Sequence, residues 1–87
     1  MESAQEATSF HLIIAEVQRK HGVSYVELLS DRRSRYVAWP RQEVMYRAAK
    51  ETRLSLPAIG RLLGGRDHTT ILHGIRQHAK RMRGTNG

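Results

Sequence analysis

The chain has 87 residues, of which 39% are apolar, and a formal net charge of +7. That is enough for one small folded domain, and it leaves no room within these residues for a nucleotide-driven motor, a barrel enzyme or a second domain. No run approaches the ~18 apolar residues of a membrane span, Glu2 and Glu6 stand where a signal peptide carries positive charge, and the lack of cysteine excludes disulfides and thiolate chemistry.

Charge is unevenly placed. Residues 1–31 hold five acids against Arg19 and Lys20, for a net of −3, whereas residues 32–87 hold thirteen Lys or Arg against Glu43, Glu51 and Asp67, for a net of +10. Twelve of the fifteen basic residues are arginine, whose planar fork matches phosphates and guanine edges. A polyanion partner is the leading reading, and a solvated basic surface is its plain competitor.

The periodicity predicts an all-α domain of five helices. Residues 1–9 read as a flexible N-terminus and 83–87 as a flexible tail, with the folded unit at 10–82. A first helix is expected from about Thr8, where Phe10, Ile13, Ile14 and Val17 keep helical spacing, and Gly22 terminates it. Ser24 to Glu27 reads as a capping box that opens a short second helix ending near Leu29. The segment from Ser30 to Trp39 shows no apolar periodicity and carries Arg32, Arg33 and Arg35, so it reads as a basic loop. Pro40 suits the first turn of a third helix running to about Arg53, with Val44, Met45, Ala48 and Ala49 inward. Ser55-Leu56-Pro57 opens a short fourth helix, Gly64-Gly65 breaks it, and Asp67 caps a fifth running to about Arg81.

The last two helices have helix-turn-helix spacing. At 100° per residue, Ile71, Leu72, Ile75, Ala79 and Met82 fall in one apolar sector of the fifth helix. Thr69, Thr70, His73, Arg76, Gln77 and Lys80 fall opposite, in a stripe without acids. Threonine and histidine can bond base edges or touch a thymine methyl, and Arg76 and Lys80 suit phosphates. His68 falls on the apolar side of the wheel, so a buried histidine competes there with one projecting past the helix end.

Four blocks carry a family resemblance: Ser30-Asp31-Arg32-Arg33-Ser34-Arg35, Pro40-Arg41-Gln42, Ser55-Leu56-Pro57-Ala58-Ile59-Gly60, and Gly64-Gly65-Arg66-Asp67-His68-Thr69-Thr70-Ile71-Leu72-His73. Together they closely resemble the C-terminal DNA-binding domain of the bacterial replication initiator DnaA, over roughly residues 10–82. The resemblance implies a Trp-repressor-like helix-turn-helix that binds double-stranded boxes of the TTATCCACA type. It implies that Asp67, His68, Thr69, Thr70 and His73 reach bases in the major groove and that Arg33 enters the adjacent minor groove. Arg41 and Gln42, and Leu56 and Pro57 through their backbone, are then expected on phosphates, with Arg32, Arg35, Arg66, Arg76 and Lys80. Helix N-termini and arginine in a narrow minor groove make physical sense of this set. Asp67 serves as an N-cap in either reading, and in the sharper one it also accepts from a cytosine amino group.

The sequence departs from the family at several points. No Gly-x-x-x-x-Gly-Lys-[Ser/Thr] loop occurs in these residues, so an excised domain or a small stand-alone protein without ATPase activity is expected. Trp39 precedes Pro40 where the family often has a small or basic residue, Ala49 stands in place of lysine, and Gly74 replaces a usual alanine at a helix-propensity cost of up to ~1 kcal/mol.

No metal, cofactor or small-molecule substrate is expected. His68, His73 and His78 turn by ~140° from one to the next and do not converge on an ion. No serine, histidine and carboxylate grouping reads as a triad, and the five aromatics do not read as a platform for single strands. The leading reading is a monomeric, cytoplasmic, nucleoid-associated protein of sequence-specific duplex binding, acting in transcription or replication control and able to compete with a host initiator for boxes. The alternative is a protein-interaction adaptor of the replication machinery that keeps the fold. RNA ranks last, because an A-form major groove excludes a helix.

Overall fold

Short-range rules set most of the helix ends. The computed structural model describes residues 4–84, which form five helices and, among the described residues, no strand. Helix α1 (Ala4–His21) begins earlier than the expected Thr8, because Ala4 to Ala7 are good helix formers with Glu6 in the first turn. The expectations for residues 1–3 and 85–87 lie outside the described residues. Gly22 ends α1 with a left-handed φ of 69°, and its N–H donates to the Gln18 carbonyl at 2.8 Å. Helix α2 (Tyr25–Leu29) carries the expected capping box: the Glu27 N–H donates to Ser24 Oγ at 3.0 Å, and the Ser24 N–H donates to Glu27 Oε1 at 2.9 Å.

Helix α3 (Arg35–Glu51) corrects the expected third helix. The chain turns helical five residues before Pro40, at Arg35 behind the N-cap Ser34, and the basic loop shrinks to residues 30–34. Proline is tolerated inside the helix although it leaves one carbonyl without its i+4 donor. The inward series is Val37, Pro40, Arg41, Val44, Met45 and Ala48, all buried. An arginine and a proline in that series broke the apolar pattern by which helices are found in sequence. Helices α4 (Leu56–Leu62) and α5 (His68–Gly84) follow, with Ser55 capping the Ala58 N–H of α4 at 3.2 Å.

Helix α3 is the axis of the domain and packs against all four others. Phe10, Val17, Leu28, Val44, Ile59, Leu63 and Ile71 fill the centre and are fully or almost fully buried. Residues of α1, α2, α3, α4 and α5 thus share one core, the arrangement by which short helices escape their own marginal stability. The inward line of α5 also differs from the expected wheel. Ile71 and Gly74 are buried and Met82 is exposed, while the His78 ring lies 5.0 Å from that of Tyr46.

Two contacts fix α3 against its neighbours. Glu43 is buried, and its carboxylate accepts from Lys20 Nζ at 3.2 Å and His21 Nε2 at 2.8 Å, joining α3 to the end of α1. Burial alone raises such a carboxyl, but the His21 and Lys20 hydrogen bonds and charges outweigh it and hold Glu43 below its ordinary value. On α5, a methyl at Gly74 would overlap Met45 Sδ, so the missing side chain is what admits the methionine.

Because Glu43 is depressed in the folded state, its contribution is complete above the ordinary carboxylate value of 4.5 and is lost as pH falls further. Urea denaturation between pH 6 and pH 3 is therefore expected to show a shallower acid loss for Glu43→Gln than for the unchanged chain; parallel curves contradict this. Gly74→Ala is expected to destabilise the domain by about 1–2 kcal/mol despite alanine's better helix propensity. In a Met45→Val background the same change is expected to be neutral or stabilising, a coupling measured by a double-mutant cycle.

Candidate nucleic-acid interface

Helices α4 and α5 meet through a turn that only glycine allows. A Cβ on Gly60 would overlap the Arg66 carbonyl oxygen, and the Gly60 carbonyl accepts the Arg66 N–H at 2.8 Å. Helix α4 is thereby held directly against the start of α5. Gly64 and Gly65 then take left-handed φ values of 85° and 78°.

Asp67 ends the turn at the N-cap position of α5, and its carbonyl accepts the Ile71 N–H at 3.2 Å. Its carboxylate accepts from Thr69 Oγ1 and lies 3.2 Å from His68 Nδ1. These partners, the Thr69 hydroxyl foremost, hold the Asp67 carboxyl below its ordinary value. His68, Thr69, Thr70 and His73 are all exposed. The buried reading of His68 is thus corrected: in the first turn the side chain projects past the helix end into solvent. Farther along α5, Arg76 and Lys80 are exposed on the outer face.

The arginines divide into three kinds. Arg47 is neutralised by Glu16 and Glu51, at 2.7 and 2.8 Å, on the side carrying α1. Arg33, Arg35, Arg76 and Lys80 have no carboxylate partner among the described residues, and Arg32 has only Glu27 at 3.7 Å. Arg41 and Arg66 are structural. Arg41 Nε donates to the Leu28 carbonyl at 2.8 Å, Nη1 to Arg32 at 2.9 Å, and Nη2 to Glu27 at 3.1 Å and Ser30 at 2.8 Å. Arg66 donates to the carbonyls of Leu63, Leu29 and Ser30. The Arg41 side chain, expected on a phosphate, is buried in the free domain, and four of its five N–H donors face backbone carbonyls. Arg66, half-buried, is drawn inward in the same way. Burial lowers both from the ordinary arginine value, though arginine stays charged throughout.

Other expected backbone contacts change in detail. Gln42 is half-buried and accepts from Arg81 Nη1 at 2.6 Å. Leu56 and Pro57 open α4, but proline has no N–H and Ser55 takes that of Ala58, so Leu56 is the residue of the pair able to donate outward. Arg35 belongs to the first turn of α3 and not to the loop. A cleft of about 100 Å³ between α3 and α5 has Arg41, Gln42, Arg66, Thr70 and His73 in its walls, which brings three expected phosphate residues beside two expected base readers.

Comparison with known proteins agrees with this geometry. Residues 10–77 match the family described as the bacterial dnaA protein helix-turn-helix. The chain belongs to that family. It is 47% identical over 77 residues to the chromosomal replication initiator protein DnaA of Caulobacter sp. (strain K31), covering 88% of this chain and 14% of that protein. It is similar at 54% over 61 residues to the DnaA of Mesorhizobium japonicum, covering 70% and 12%, and at 56% over 61 residues to that of Bartonella quintana, with the same shares. The chain thus spans about one-seventh of the length of the curated DnaA relatives it matches.

Within this DnaA-type domain, sequence reasoning missed that Arg41 and Arg66 tie the loop and the turn to α2. A detectable signal existed: a helix of five residues leaves all its last carbonyls without internal partners, and something cationic has to meet them. Arg41→Ala is expected to lower stability by at least about 2 kcal/mol. Arg41→Lys is expected to recover little, since one ammonium cannot span four carbonyls. Thermal and urea denaturation of the three proteins check this, and equal stability of all three contradicts it.

Proposed function

We propose that this domain binds double-stranded DNA at DnaA-box-like sites, with α5 in the major groove and the 30–34 loop in the adjacent minor groove. The observation that carries the reading is the acid-poor exposed face opened by Asp67, His68, Thr69, Thr70 and His73 on a helix-turn-helix. Threonine and histidine at the first two turns meet base edges when a recognition helix enters N-terminus first. Arg76 and Lys80, farther along, meet phosphates, as does the Leu56 N–H at the start of α4. The relatives are named chromosomal replication initiators, so we infer a role in replication or transcription control, to which this domain contributes by occupying sites. Site occupancy by a monomer and competition with a full-length initiator follow from the same reading.

A TTATCCACA-type duplex is expected to be preferred over a scrambled one by ~10³-fold at physiological salt. Thr70→Ala and His73→Ala are expected to relax preference at particular base pairs, at about 1–3 kcal/mol each. Arg76→Ala is expected to weaken every duplex alike and to reduce the log–log salt slope by about 0.9. Equal affinity for matched and scrambled duplexes sinks the reading, and leaves a basic surface or a protein adaptor.

Arg33 lies exposed in a loop with no ion pair among the described residues. A narrow A/T minor groove concentrates negative potential and favours an inserted guanidinium over the more strongly hydrated ammonium. Arg33→Lys is expected to lose affinity on a site with its A/T end intact and to lose little once that end is changed to G/C. An equal loss on both sites returns Arg33 to general electrostatics.

A further inference from the structure

The start of α3 carries an exposed aromatic cluster that the helix-turn-helix reading does not use. Tyr36 is 74% exposed and Trp39 46%, although large aromatics are more often covered. Arg35 lies between them, its Cζ 5.9 Å from the centroid of each ring. From behind, Arg81 of α5 places its Cζ 4.5 Å over the Trp39 ring and donates from Nη1 to Gln42 Oε1 at 2.6 Å. Arg81 Nη2 is buried without a hydrogen-bond partner among the described residues, so this guanidinium is held by the ring and Gln42, and by no carboxylate among those residues. The aromatics looked scattered in sequence; the earlier start of α3 puts residues 35, 36 and 39 together within its first two turns.

We propose that Arg35, Tyr36 and Trp39 form a ledge for the sugar–phosphate backbone bordering the minor groove, with Arg81 as its positioning residue. The inference rests on the duplex reading above. The ledge begins one residue after the loop that carries Arg32 and Arg33, so a loop seated in the minor groove brings the ledge onto the bordering strand. A guanidinium, a phenolic hydroxyl and an indole N–H are donors without a competing acid, which suits phosphate oxygens. Cation–π contact orients Arg35 while leaving its charge unneutralised. Arg81 comes from the helix that carries His73, and through Trp39 and Gln42 it ties the ledge to that helix.

Trp39 is the sole tryptophan of the chain, so its emission reports on the ledge directly. Two duplexes are needed, one with the full box and one cut short before its A/T end. Binding the full duplex is expected to change Trp39 emission, and binding the short one to leave it unchanged. Tyr36→Ala and Trp39→Leu are expected to weaken the full duplex about five-fold with base preference unaltered, and to leave the short duplex at its original affinity. Arg81→Met is expected to weaken the full duplex when Trp39 is present and to add nothing in a Trp39→Leu background, with Arg81→Lys recovering most of the loss. A purely structural Arg81 would instead give additive losses on both duplexes, which overturns its positioning role. A matched-site preference with unchanged Trp39 emission overturns the ledge alone, whereas no preference for the matched site overturns the reading beneath it.

Discussion

A five-residue helix has more unpaired end groups than internal bonds, and in this domain two arginines from elsewhere complete it. The carbonyls of Glu27, Leu28, Leu29 and Ser30 at the end of α2 accept from Arg41 of α3 and Arg66 of the α4–α5 turn. Positive charge at a helix C-terminus is favourable in its own right, and each guanidinium spans several acceptors at once. Arg41 also takes the Arg32 carbonyl, so the same knot fixes the path of the basic loop. Loop and recognition helix, far apart in sequence, are therefore held by one polar centre. Burial foremost, then the charge of Arg66, lowers Arg41, burial lowers Arg66, and Asp31 partly offsets the lowering of both.

The partners of the remaining cations sort the surface. Lys20 and Arg47 meet carboxylates that join α1 to α3, while Arg76 and Lys80 on the outer side of α5 and Arg33 in the loop meet none among those described. The exposed cations of α5 and of the loop thereby focus part of the net charge of +7, which favours association with a polyanion. Surface ion pairs contribute little to stability; here their chief consequence is to remove positive charge from the side that carries α1.

Glycine works in two different ways in the same unit. Gly64 and Gly65 supply backbone angles that other residues resist. Gly60 and Gly74 have ordinary helical angles and are required by space, against the Arg66 carbonyl and Met45. The departure of Gly74 from the family's alanine, which looks like a loss of helix propensity, is matched by the methionine packed onto it.

The sequence by itself determined five helices, the Ser24 capping box, the Gly22 and Gly64–Gly65 breaks, and the outward face of Thr69, Thr70 and His73. Each of these depends on contacts within a few residues, where period, caps and φ preferences act alone. Only the tertiary structure decided that α3 starts at Arg35, that Arg41 and Arg66 face inward, and that Tyr36, Trp39 and Arg81 converge. An arginine looks the same in sequence whether its donors meet phosphate, carboxylate, an aromatic face or a helix end. The choice is made by which acceptors long-range packing brings within about 3 Å, and those acceptors lie 9 to 14 residues away for Arg41 and up to 37 for Arg66.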